Sequence, residues 1–135
     1  MTKPTIGFIG LGLMGGAMVQ RLLDLKYSVT VIANRNRKYV DEAVARGASE
    51  AKTSAELAAA SEIVMFCMDT SDSVESRVYG ENGVLAGAKK GSLVIDFGTS
   101  LPGSTKKIGA DMAAKGVSYM DAPLGKTPIQ GRQAC

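Results

Sequence analysis

Two short stretches carry residue types and spacing suited to chemistry on phosphate. The first is Gly10-Leu11-Gly12-Leu13-Met14-Gly15, a GxGxxG string that leaves a β-rich run and opens a helical one. Gly10 permits a tight turn, Gly12 carries no Cβ to fend off a pyrophosphate, and Gly15 lets the helix pack against the strand. The free amides and positive end of that helix then face the anion. A Walker A loop would need GK[ST] after four spacer residues and is absent, so a dinucleotide is expected rather than a triphosphate. The second stretch, Asn34-Arg35-Asn36-Arg37-Lys38, begins about 20 residues further on, where such a chain often carries one acid for the ribose hydroxyls. Asn34 meets a hydroxyl or phosphate oxygen without repulsion. Arg35 offers a planar fork to phosphate and can stack on adenine, while Arg37 and Lys38 add positive field. The expected cofactor is NADP(H), bound at least about tenfold more tightly than its 2′-hydroxyl counterpart.

The elements that must position these residues alternate along the chain. Strand-like runs are expected at 5–10, 28–33, 48–50, 62–67, 92–97 and 117–122. Between them, residues 13–26 place Met14, Met18, Leu22 and Leu25 at helical spacing, and 37–47 reads as a helix stopped by Gly47. Thr53 or Ser54 is suited to capping a helix through Ala60. Further helical stretches are expected at about 73–78 and 82–87, and from Pro102 to Lys115. Strand then helix, repeated through short connections, predicts an α/β chain with a doubly wound, Rossmann-type parallel sheet of order 3-2-1-4-5-6, expected to lack its last strands. Residues 1–135 read as one dinucleotide-binding domain.

Composition narrows the field. The chain is 45% hydrophobic, too apolar for disorder, and its net charge of +3 is far from the basic face of a duplex binder, so no nucleic-acid partner is expected. No run approaches the roughly 20 apolar residues of a membrane span, and the start is too short in apolar residues for a signal peptide; a cytoplasmic protein with no membrane partner is the expectation. There is no histidine, and Cys67 and Cys135 are far apart, so no zinc site is expected. Cys67 reads as buried and reduced, and Cys135 receives no role.

The string GFIGLGLMGGAM (7–18) is more specific than the bare glycine spacing and resembles the N-terminal motif of the β-hydroxyacid dehydrogenase family, GFIGLGxMGxxM. The family includes 3-hydroxyisobutyrate dehydrogenases and reductases of glyoxylate, succinic semialdehyde, tartronate semialdehyde and 3-sulfolactaldehyde. The likeness covers almost the whole chain: Asn34-Arg35 resembles its NADP-type strand ending, while GENGVLAG (80–87) and VIDFGTS (94–100) match its middle and MDAPLGKTP (120–128) is similar to its substrate loop. By that resemblance Leu13 and Met14 supply amides near the pyrophosphate. Met68 and Asp69 lie on the adenosine side, with Val74 as an apolar wall near the adenine and Thr99 beside the nicotinamide ribose. Asp69 stands where the family usually has proline. Gly125, Lys126 and Thr127 would face the substrate, replacing the common Ser-Gly-Gly with a pattern similar to the VGRT of the sulfolactaldehyde branch, lysine standing for arginine.

The resemblance implies hydride transfer to or from a small anionic carbonyl or hydroxyacid substrate. It also implies a lysine acid on a helix after the dinucleotide domain, and a second helical domain that dimerises, hence a homo-oligomer for a full-length parent. No match to that lysine's motif follows residue 128, and Lys89, Lys90, Lys106 and Lys107 do not sit at a matching place, so no catalytic residue is assigned. The chain alone is expected to bind cofactor without turnover. A noncatalytic NADP-binding module, or a truncated fragment without turnover, is the alternative reading. A methyltransferase with a similar loop fits less well, because its second strand usually ends in an acid.

Overall fold

The computed structural model describes residues 3–33, 37–68, 71–98 and 102–122. Six parallel strands form one sheet: β1 (Ile6–Ile9), β2 (Val29–Ile32), β3 (Ser49–Ala51), β4 (Ile63–Phe66), β5 (Leu93–Asp96) and β6 (Ser118–Asp121). Their order is β3-β2-β1-β4-β5-β6, as the alternation predicts. Among the described residues, six helices connect them: α1 (Leu13–Asp24), α2 (Lys38–Ala45), α3 (Ser54–Ala59), α4 (Ser71–Val78), α5 (Val84–Gly87) and α6 (Pro102–Ala114).

Side-chain alternation along the central strands builds two cores. Phe8 and Val31 point to one face and join Val19 of α1 and Val40 of α2. Their neighbours Ile9 and Ile32 point to the other, with Leu57 of α3, Val74 of α4 and Ile108 and Met112 of α6. Each of these side chains is at most 4% exposed. Covering both faces is what the continuous apolar run of β1 demands, and all four of its residues are buried.

Most boundaries fall within a residue or two of the expected ones. Thr53 is the cap of α3, accepting the Glu56 amide on its hydroxyl at 3.0 Å. Helix α4 starts at Ser71, two residues before expectation, because Ser71-Asp72-Ser73 has no apolar periodicity; Asp72 suits the positive end of a helix. Cys67 is half-buried rather than buried: it lies one residue past β4, where the covering helices end. No helix among the described residues is long and apolar enough to cross a membrane.

Candidate functional site

In an open parallel sheet, the crevice beyond the carboxyl ends of the strands, where strand order reverses, is where ligands bind. Here the reversal falls between β1 and β4, and the glycine loop leaves β1 at that point. Gly10 holds φ of +102°, a left-handed conformation that glycine adopts without strain. A Cβ there would also lie 2.9 Å from the Met68 sulfur and collide with the Cys67 carbonyl. A Cβ on Gly15 would collide with the Gly10 carbonyl and come within 3.1 Å of Phe8 Cε1. So Gly10 lies against the backbone that leaves β4, and Gly15 brings α1 against the backbone at the end of β1.

Gly12 is the opposite case. A Cβ built on it meets nothing within 4 Å, so the side-chain position of this residue faces open space. Gly12 is the N-cap of α1 and supplies no capping side chain; the first turn contains no acid. The first helical bond runs from the Gly16 amide to the Gly12 carbonyl at 2.8 Å, which leaves the amides of Leu13, Met14 and Gly15 ahead of it. Leu13 itself is 66% exposed and Met14 is half-buried. A helix end with open amides, no acid and a bare approach over Gly12 fits a diphosphate.

Met68 ties the loops around this corner. Its sulfur neighbours Gly10, and a Cβ on Gly98, in the loop after β5, would lie 2.5 Å from the Met68 carbonyl oxygen. Val74 is placed differently from its expected role. It is 1% exposed and packs into the core beneath α4, so it presents no surface of its own to an adenine and supports the helix from below.

On the adenosine side, Arg37 donates to both carboxylate oxygens of Glu50 on β3, at 3.1 and 2.9 Å, and to Asp41 one turn along α2 at 3.3 Å. The Glu50 hydrogen bond, then its charge, raises the Arg37 pKa; in return the same bond holds Glu50 below its ordinary range. A structural reason for Arg37 therefore exists, and its charge is offset before any ligand arrives. Lys38 stacks its ammonium 5.5 Å from the centre of the Tyr39 ring. Asn34, Arg35, Asp69, Thr99, Gly125, Lys126 and Thr127 lie outside the described residues.

Two residues that sequence reasoning passed over stand at this edge of the sheet. Asp96, the last residue of β5, is fully buried; it accepts the Gly98 amide at 2.9 Å and the Tyr119 hydroxyl at 3.3 Å. Burial, then the Asp96 charge, pushes the Tyr119 pKa upward. The signal was an acid closing the apolar run SLVI at a strand's carboxyl end. Arg77, in the last turn of α4, reaches the Ala33 carbonyl just past β2 at 3.4 Å; nothing in the sequence links positions 44 residues apart.

The family model of the NAD binding domain of 6-phosphogluconate dehydrogenase matches residues 5–132. The 3-sulfolactaldehyde reductase of Escherichia coli K12 is 40% identical over 122 residues, covering 90% of this chain and 41% of the reductase. Among solved structures, Psf3 in complex with NADP+ and 2-OPP superposes with a TM-score of 0.85 at 31% identity, over 92% of this chain and 44% of that one. The 3-hydroxyisobutyrate dehydrogenase of Mycobacterium tuberculosis does so with a TM-score of 0.87 at 25% identity, over 98% and 44%. The chain thus spans about two fifths of the length of the curated relatives it matches. It belongs to the family of the NAD-binding domain of 6-phosphogluconate dehydrogenase, and is a nicotinamide-cofactor-binding domain of the β-hydroxyacid dehydrogenase type.

Proposed function

We propose that the chain is the NADP(H)-binding domain of an oxidoreductase that reduces, or forms by the reverse reaction, a small anionic aldehyde or ketone. The observation that carries this reading is the contrast at the glycine corner: Gly10 and Gly15 are closed by backbone, whereas Gly12 opens onto free space at an uncapped helix start. The amides of Leu13 and Met14 hold the diphosphate. Asn34 and Arg35 take the adenosine ribose and its 2′-phosphate, Lys38 adds field, and Met68 and Asp69 shape the adenosine side. Thr99 lies beside the nicotinamide ribose. Bound there, the cofactor supplies the hydride; this chain's residues bind and orient it. Gly125, Lys126 and Thr127 meet the acidic end of the substrate, a role in keeping with the sulfolactaldehyde reductase among its relatives.

A second reading, cofactor binding without turnover by this chain, is favoured by the placement of its lysines. Lys89 and Lys90 precede β5 and so lie at the amino end of the sheet, opposite the site, while Lys107 is paired with Glu75 at 3.3 Å. We place the acid that would protonate the alkoxide in a second, helical domain of a homo-oligomeric, cytoplasmic parent. Fluorescence titration tests the binding claim: NADPH is expected at least about tenfold tighter than NADH, and equal affinities overturn it. A turnover screen with succinic semialdehyde, glyoxylate, tartronate semialdehyde and sulfolactaldehyde, on this chain and on the longest form of the protein, separates the two readings.

A further inference from the structure

We propose that Asp96 is a positioning residue for the nicotinamide half of the cofactor, acting through the Gly98 amide and the Tyr119 hydroxyl. The inference rests on the cofactor-binding reading. A doubly wound sheet takes a dinucleotide across two halves, one mononucleotide to each, on either side of the point where strand order reverses. Here β1, β2 and β3 form the half that carries the glycine corner and the adenosine side. The other half, β4, β5 and β6, is left for the nicotinamide mononucleotide.

Asp96 sits at the centre of that second half. It closes β5, the strand between β4 and β6, and is 0% exposed. Its Oδ1 accepts the amide of Gly98, two residues further on, at 2.9 Å, and its Oδ2 accepts the Tyr119 hydroxyl of β6 at 3.3 Å. Its backbone carbonyl accepts the amide of Ala122, the residue after β6, at 2.9 Å. On the opposite side Gly98 is closed by the exit of β4, since a Cβ there would lie 2.5 Å from the Met68 carbonyl oxygen. The exits of all three strands therefore converge on Asp96 and its partner Gly98.

Packing alone does not call for an acid at this place. Ile9 and Phe66 close β1 and β4 and are 0% exposed, and Phe66 is the register partner of Asp96. An apolar side chain would fill such a position without the cost of burying a carboxylate. What the carboxylate adds is direction: it orients the Gly98 amide, and with it the backbone leading into Thr99. Through Tyr119, the one residue of β6 that is not exposed, it also anchors the edge strand that precedes Gly125, Lys126 and Thr127 in the chain. Support of this kind, from a buried and bonded side chain behind the contacting residues, is what a precise site requires.

Two probes measured on the whole chain separate positioning from stability: NADPH, and adenosine 2′,5′-bisphosphate, which lacks the nicotinamide half. Asp96→Ala is expected to weaken NADPH about tenfold and the bisphosphate less than about twofold. Tyr119→Phe keeps the carboxylate and removes one bond, so it guards against an alanine variant that fails to fold; NADPH is expected to weaken about threefold and the bisphosphate not at all. Equal losses for both probes would make Asp96 a purely structural residue, and unchanged NADPH affinity in the folded variants would remove it from the site; both overturn the proposal. A wild type that binds the two probes equally well also overturns it, because the nicotinamide half would then contribute nothing to binding. A wild type that binds neither probe sinks the cofactor-binding reading beneath it.

Discussion

Tyr119 on β6 donates its hydroxyl to the buried carboxylate of Asp96 on β5, at 3.3 Å, while the other oxygen of that carboxylate accepts the Gly98 amide at 2.9 Å. One buried acid thus fixes both the edge strand and the loop that leaves β5 toward α6. Asp96→Ala leaves the Gly98 amide and the Tyr119 hydroxyl without their acceptor and is expected to cost roughly 2–4 kcal/mol. Tyr119→Phe, which removes one longer bond, is expected to cost about 1 kcal/mol. Urea denaturation of the three proteins checks the order; equal stabilities would show that the carboxylate organises nothing.

The glycine corner separates folding from binding. Gly10→Ala combines a left-handed φ with a clash against the Cys67 carbonyl and is expected to destabilise by roughly 2–4 kcal/mol. Gly12→Ala adds a methyl in open space and is expected to change stability by less than about 0.5 kcal/mol. The same methyl stands where the diphosphate approaches, so NADPH affinity is expected to fall at least about tenfold. Thermal melts and titration of both variants check this, and a Gly12→Ala protein with undiminished affinity would place the diphosphate elsewhere.

Much of this was legible in the residues. The uninterrupted apolar runs of β1 and β4 announced strands covered on both faces, and the glycine spacing announced the corner that the backbone contacts of Gly10 and Gly15 show. What sequence could not show were partnerships made by folding. Arg37 is indistinguishable in the string from a phosphate ligand until β3 brings Glu50 beside it. Val74 reads by resemblance as an apolar wall near the adenine, and only the packing shows that its side chain is buried in the core beneath α4. Arg77 meets Ala33 only because the sheet order sets α4 over the end of β2.

Because its charge is already answered, Arg37 is expected to contribute little to cofactor choice. Arg37→Ala should change the NADPH to NADH preference less than about threefold, whereas Arg35→Ala should remove most of it. Titration of the two variants side by side checks this; a larger effect at position 37 would mean that the ligand displaces Glu50.

The α4–α6 contact has an alkaline limit. Tyr79 donates to Asp111 at 2.5 Å, and burial first, then Asp111 and Glu75, push its pKa up from 10.0 to about 12. A raised folded pKa means the protonated hydroxyl is favoured in the fold. Its contribution is therefore complete below about pH 10 and lost as pH rises toward 12. The stability difference between the wild type and Tyr79→Phe is expected to shrink over that interval, and melts at stepped pH check it. A difference that stays constant from pH 9 to 12 would contradict the assignment.

The most direct measurement is a crystal structure of this chain grown with NADPH. The account predicts diphosphate oxygens in hydrogen-bond distance of the Leu13 and Met14 amides, over the bare Gly12, with the 2′-phosphate held by Arg35. A cofactor bound away from that corner, or an adenosine end whose 2′-phosphate meets no arginine, would contradict it.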